Sequence, residues 1–247
     1  MIVLFTDFGL TGPYTGQMKA VLHRDAPGIP VIDLFADAPA TDPQKSAYLL
    51  AAYAPAMPAG SILLCVVDPG VGSARPPLIA RAGGRLFVGP GNGLFELCLR
   101  RHGDAACWRI DWRPGDLSAS FHGRDLFAPV AAALARGAAP DAFGPAVDTD
   151  ADAGRRPDWP DDLPAILYLD IYGNAMTGLR AAALPPAAAL LVGGALRVRR
   201  ARTFSDLPEG TAFWYENANG LAEIAVNRGR AAALPGIVPG AAIEVLA

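Results

Sequence analysis

Short apolar runs that stop abruptly at polar, glycine-rich loops constrain this chain more than any other feature. Residues 2–5 are apolar and end at Thr6-Asp7-Phe8-Gly9; residues 61–67 end at Asp68-Pro69-Gly70; residues 31–35 form a further short run. Runs of this length, bounded by turn signals, are typical of strands buried on both faces. Between them, residues 14–23 and 44–54 carry apolar side chains at helical spacing. Residues 78–82 and 85–88 predict a hairpin around Gly83-Gly84. Helices are expected over 93–101 and 125–136, and a strand over 108–111. Buried strands alternating with helices predict an α/β domain over 1–150 with a largely parallel sheet.

The pattern changes near residue 150. Residues 148–164 are rich in Asp, Arg and Pro, and 151–164 reads as a linker. Beyond it, apolar runs at 165–172, 188–192, 195–198, 211–215, 221–226 and 241–246 are separated by closely spaced turns. They predict a smaller all-β barrel domain over 165–247. The pattern does not decide between helix and loop over 181–191.

Composition excludes several function classes. The net charge is −3, so a nucleic acid or an anionic membrane surface, which favour basic patches, is not the expected partner. No run approaches the roughly 18 apolar residues of a membrane span. The opening MIVLFTDFGL has no basic region before its apolar run and does not read as a secretory signal. Cys65, Cys98 and Cys107 are an odd number at unrelated spacings, which suits free buried thiols in a reducing cytoplasm. No cysteine or histidine spacing suggests a metal site, and no cofactor is implied.

Ligands of open α/β sheets bind beyond the carboxyl ends of the strands. Two such ends carry an aspartate in a glycine-rich loop, Asp7 and Asp68. A carboxylate there can accept two hydrogen bonds from a vicinal diol such as a ribose. An aspartate after a strand is also a common turn or cap residue. Gly70-Val71-Gly72 matches no phosphate-loop pattern and no Lys follows it. The segment 120–129, SFHGRDLFAP, is the other dense cluster. Asp125 is explained by a helix start, where the dipole favours an anion. His122, placed before the helix beside Gly123, is not.

Six ordered segments, TDFGLTGPYTGQMKAVL (6–22), VVDPGVGSAR (66–75), VGPGNGL (88–94), SASFHGRDLFAPVAA (118–132), DIYGNAMTG (170–178) and ENANGLAEIA (216–225), resemble the S-adenosyl-L-methionine (SAM) hydroxide adenosyltransferases, the adenosine-forming SAM hydrolases related to the fluorinase and chlorinase. The resemblance covers nearly the whole chain. It implies an N-terminal α/β domain, a C-terminal β-barrel and a homotrimer, with active sites where the N-terminal domain of one subunit meets the C-terminal domain of its neighbour. It places the catalytic set on Asp68, Arg75 and His122 and the ribose carboxylate on Asp7. The methionine end falls to Asp170, Asn174 and the segment beginning at Asn217. Phe8 and Phe121 would keep the site dry. The implied reaction is attack of water or hydroxide on the ribose C5′ of SAM, releasing methionine as a neutral thioether without a cofactor. Either Asp68 or His122 could take the proton.

The chain departs from the family pattern at Ala36, Gly91 and Ala218, where relatives carry His, Asp and Ser. It has His122-Gly123 where the halogenases carry Tyr-Ser, and lacks their extra loop, which favours water over halide. A SAM-dependent halogenase and a non-catalytic SAM- or adenosine-binding protein are the alternatives. A methyltransferase lacks its glycine-rich loop here.

Overall fold

The computed structural model describes residues 1–246. They divide into two compact units, Met1–Asp158 and a second that starts at Trp159. The first contains β1 (Ile2–Thr6), α1 (Tyr14–Asp25), β2 (Val31–Phe35), α2 (Pro43–Tyr53), β3 (Ile62–Val66), β4 (Pro77–Ala82), β5 (Arg85–Pro90), α3 (Glu96–Arg100), β6 (Ala106–Arg109), α4 (Ala128–Ala135) and β7 (Ala146–Val147). The strands form one sheet in the order β2-β1-β3-β5-β4-β6-β7.

This sheet is mixed, which corrects the expectation of a largely parallel one. β2, β1, β3 and β5 run parallel, whereas β5–β4, β4–β6 and β6–β7 are antiparallel. The cause is the two-residue connection Gly83-Gly84, at φ +58° and +70°. Two successive left-handed residues make a tight hairpin turn, and a hairpin joins only antiparallel strands. β1 and β3 are buried along their whole length, as their unbroken apolar runs require. β2 lies at the edge and is half-exposed; its Asp33 pairs with Lys19 of α1 at 2.5 Å.

Met18, Leu22, Val130, Ala131 and Leu134 of α1 and α4 pack with Ile2, Leu4, Leu64 and Val66 of the sheet. α2 starts as its sequence suggests: Asp42 accepts the Lys45 N–H at 2.9 Å and Pro43 occupies the first turn. The helix expected from residue 125 begins differently. A wide π-type turn, Gly123–Phe127, precedes α4. Such turns are rare and concentrate at functional sites. Residues 148–158 pack with the first unit. Arg155 Nε and the Arg156 N–H reach the buried Glu96 carboxylate at 2.6 and 2.8 Å.

The second unit holds β8 (Leu163–Leu169), β9 (Ala175–Arg180), β10 (Ala189–Val192), β11 (Leu196–Arg200), β12 (Ala212–Glu216), β13 (Leu221–Val226) and β14 (Ile243–Leu246), in the order β14-β10-β11-β12-β13-β9-β8. The end strands nearly meet. Ala165 bridges Ala242, and the Ile166 N–H donates to Ala241 O at 3.0 Å. The sheet therefore curls into a nearly closed barrel around Trp214, Ile166, Leu190 and Ile224. β9 has no counterpart in the sequence reading, because AMTGLR lacks period-two alternation and carries Gly178. A Cβ there would meet Leu163 O of the adjacent strand at 2.6 Å. The undecided stretch 181–191 resolves into a short 3-10 turn, Ala181–Ala183, a loop and then β10. No helix among the described residues is long and apolar enough to cross a membrane.

Candidate active site

The expected residues fall into two clusters, one in each unit. In the first, adjacent parallel strands set the geometry: β1 and β3 pair Thr6 with Val66, so Asp7 and Asp68 leave the sheet at neighbouring strand ends. Gly72, at φ +79°, lets the loop after β3 press on the loop before α4; a Cβ there would lie 2.9 Å from Ala119 O. That close approach carries Asp68 and Arg75 to His122, which lies 47 residues beyond Arg75 in the sequence.

Arg75 Nε donates to both Asp68 oxygens at 2.9 and 3.0 Å, and Nη2 also reaches Asp68 Oδ2. The same Nη2 lies 3.0 Å from His122 Nδ1. The pair is largely withdrawn from solvent, with side-chain exposures of 9% for Arg75 and 5% for Asp68. The Arg75 guanidinium also lies over the Phe127 ring at 5.3 Å. A guanidinium has no acceptor, so Nδ1 of His122 must accept, and a neutral imidazole then carries its proton on Nε2. Burial lowers the His122 pKa, and the Arg75 charge lowers it further. Both favour the neutral ring. The result is one carboxylate and one N–H donor tied together by one cation.

Asp7 sits beside this group, its Oδ2 accepting the Thr41 N–H at 2.8 Å. Burial raises its carboxyl pKa and nearby Asp68 adds to the rise. Phe8, Tyr14 and Phe121 form a ring cluster with centroids 5.5–5.9 Å apart. Gly123 lies against it: a Cβ would sit 3.3 Å from both Phe8 and Met18. Asp125 does not act as a simple cap. It accepts the Ser118 N–H at 3.1 Å and pairs with Arg124, tying the His122 loop to the π-type turn.

The second cluster holds Asp170, Asn174 and Asn217. Asp170 follows β8 and accepts the Asn174 N–H at 2.8 Å and its Nδ2 at 3.2 Å. Asn217 follows β12. Its Oδ1 accepts the N–H groups of Asn219 and Leu221 at 2.9 and 3.1 Å, and its Nδ2 donates to Glu223 Oε2 at 2.8 Å. Asn217 is thus a turn-builder whose side chain points inward, and it shapes the loop containing Ala218.

Sequence reading missed two residues. Asn92 donates to Val67 O at 2.9 Å, clamping the backbone just before Asp68; its signal was its place between two glycines in the VGPGNGL segment. Glu223 is 3% exposed, and its signal was a lone acid in the apolar strand LAEIAV, within the ENANGLAEIA segment. The departure at Gly91 has a packing reason. A Cβ there would meet Leu78 and Pro76 at 2.8 Å, and the Gly91 carbonyl contacts Gly154 closely. Among the described residues, no group of three or more His, Cys, Asp or Glu could hold a metal.

Comparison with known proteins places the whole chain in one family. Residues 2–144 match the SAM hydroxide adenosyltransferase N-terminal domain and residues 164–244 its C-terminal domain. The chain is 39% identical to an (R)-S-adenosyl-L-methionine hydrolase of Thermus thermophilus, covering 99% of both chains. It is 37% identical to the enzyme of that name from Salinispora tropica, covering 98% of this chain and 96% of the relative. Among solved structures, an uncharacterized conserved protein from Thermotoga maritima superposes with a TM-score of 0.88 at 27% identity, covering all of both chains. A conserved hypothetical protein from Thermus thermophilus gives 0.77 at 37% identity, covering 99% of both. This chain belongs to the SAM hydroxide adenosyltransferase family.

Proposed function

We propose that this chain hydrolyses SAM to adenosine and L-methionine, with Asp68, Arg75 and His122 acting on the attacking water. The observation that carries the assignment is the hydrogen-bonded chain Asp68–Arg75–His122, drawn from two distant loops. The water oxygen attacks C5′ of the ribose while the C5′–S bond breaks. The bond's electron pair stays on sulfur, so the sulfonium becomes the neutral thioether of methionine. His122 Nε2–H donates to the water oxygen, and Asp68 accepts the proton released as the C–O bond forms. Of the two proton acceptors left open by the sequence, the tautomer imposed by Arg75 favours Asp68. Holding water and substrate in line can supply about 7–11 kcal/mol of the barrier. The sulfonium needs no acid to leave.

Asp7 takes the ribose hydroxyls in this reading, with Phe8 and Phe121 drying the reacting bond. Asp170, Asn174 and the loop shaped by Asn217 take the methionine end. The site is completed between subunits of a homotrimer, N-terminal domain against a neighbour's C-terminal domain. The buried thiols accord with a cytoplasmic setting.

The test is incubation of the purified protein with SAM in 18O-labelled water. Label in the 5′-hydroxyl of adenosine is the expected result. Methionine release with unlabelled adenosine, or no product at all, overturns the reading. Added halide distinguishes the halogenase alternative through 5′-halo-5′-deoxyadenosine.

A further inference from the structure

Glu223 lies on β13 between Ala222 and Ile224, whose side chains enter the barrel core, so it projects to the opposite face of the strand. A carboxylate only 3% exposed is costly unless its oxygens are fully engaged. Its hydrogen-bond partners are all neutral. Tyr215 Oη donates to Oε1 at 2.6 Å and Asn217 Nδ2 to Oε2 at 2.8 Å. Across the strand pair Glu223 lies opposite Met176 of β9, two residues beyond Asn174.

Those two asparagines come from different parts of the barrel. Asn174 closes the turn between β8 and β9, and Asn217 builds the turn between β12 and β13. Glu223 holds the Asn217 turn directly, and the pairing of β13 with β9 sets it beside the Asn174 turn. Each asparagine is held within its own turn, Asn174 by Asp170 and Asn217 by Asn219 and Leu221.

We propose that Glu223 is a positioning residue that locks the Asn174 turn and the Asn217 turn into one fixed spacing, so that together they receive the methionine end of the substrate. The inference rests on the reading above, in which these two turns hold that end. What matters is the reach of the carboxylate to the Asn217 amide and the Tyr215 hydroxyl across from β9, not its charge. Glutamine has the same reach: its oxygen can accept from an asparagine amide, and its NH2 can donate to Tyr215, whose hydroxyl also accepts. Aspartate keeps the charge and is one methylene short.

The experiment compares Glu223→Gln, Glu223→Asp and Glu223→Ala by steady-state adenosine release. Loss of positioning for a non-reacting part of the substrate removes binding that is equal in ground and transition states, which raises KM and leaves kcat. Glu223→Asp and Glu223→Ala are expected to raise KM for SAM at least about tenfold with kcat within about threefold. Glu223→Gln is expected to stay within about threefold of the unaltered KM. A general folding defect would instead lower kcat at unchanged KM. If Glu223→Ala does not fold, the Gln and Asp pair decides alone. Wild-type KM in Glu223→Asp, or an impaired Gln beside a normal Asp, overturns the inference. Asn174→Ala and Asn217→Ala serve as controls. If the unaltered protein is active and neither control raises KM, the assignment of these turns to the substrate fails. If both raise KM and the Glu223 variants do not, only the role of Glu223 fails.

Discussion

A histidine whose Nδ1 is occupied by a guanidinium can serve only through its protonated Nε2, and that makes the His122 charge state decisive. Its pKa is lowered chiefly by burial and then by Arg75, and the sign follows directly. The folded state resists protonation more than the unfolded chain, whose imidazole titrates near about 6.5. The stability tied to His122 is present above that value and is lost as pH falls through the lower folded-state value. A protonated ring also cannot accept from Arg75. The acid limb of the kcat/KM profile should therefore show an apparent pKa below about 6.5, and His122→Asn should remove that limb along with most activity. Asp68→Ala and Arg75→Ala should leave circular dichroism and melting cooperativity intact while reducing turnover about 10²–10⁴-fold. Near-normal rates in folded variants would reassign the pair to a loop-stabilising role. Asp7 titrates in the opposite sense, since burial raises its carboxyl pKa and the charged form is disfavoured in the fold. Asp7→Asn keeps an acceptor for the Thr41 N–H and removes that charge. It should raise the apo melting temperature by no more than about 2–4 °C while weakening SAM affinity in calorimetry.

At the scale of elements, the site depends on loops pressed together at special backbone positions. Gly72 combines a left-handed backbone with a contact that leaves no room for a Cβ beneath Ala119 O. Gly72→Ala should destabilise by about 1–3 kcal/mol, measured by denaturant titration, and should lower kcat by displacing Asp68 and Arg75 from His122. Much of this level was legible beforehand. The apolar runs at 2–5 and 61–67 marked β1 and β3, and the glycine-rich breaks after them marked where the two aspartates would emerge. The π-type turn before α4 was not legible, since the run Leu126-Phe127-Ala128 reads as an ordinary helix start, and the close approach of Gly123 to Phe8 and Met18 exists only in the folded chain. β9 was hidden because a strand flanked by β8 and β13 on both edges need not carry its own periodic signal.

For the molecule as a whole, the three thiols give a direct check on the fold. Cys65, Cys98 and Cys107 are free and buried, and burial pushes Cys98 up to about 12 and Cys107 up to about 11. None should react with a thiol reagent at neutral pH until the protein unfolds, when all three should. The proposed assembly has its own test. Mixing Asp68→Ala with Asp170→Ala subunits under exchange should restore about a quarter of the original activity if each site draws one residue from each of two neighbours. No restoration would place both residues in a single subunit's site.

The sequence by itself determined the two regimes of patterning, buried strands with helices before residue 150 and closely spaced short strands after 164, because apolar periodicity is a local property. It also marked Asp7, Asp68, Arg75 and His122 through motif order. Tertiary structure alone decided that the first sheet is mixed, that Nδ1 of His122 is taken by Arg75, and that the buried Glu223 holds Asn217. Each of these depends on which residues come within hydrogen-bonding reach, and that distance is set by strand pairing and loop packing rather than by any spacing along the chain.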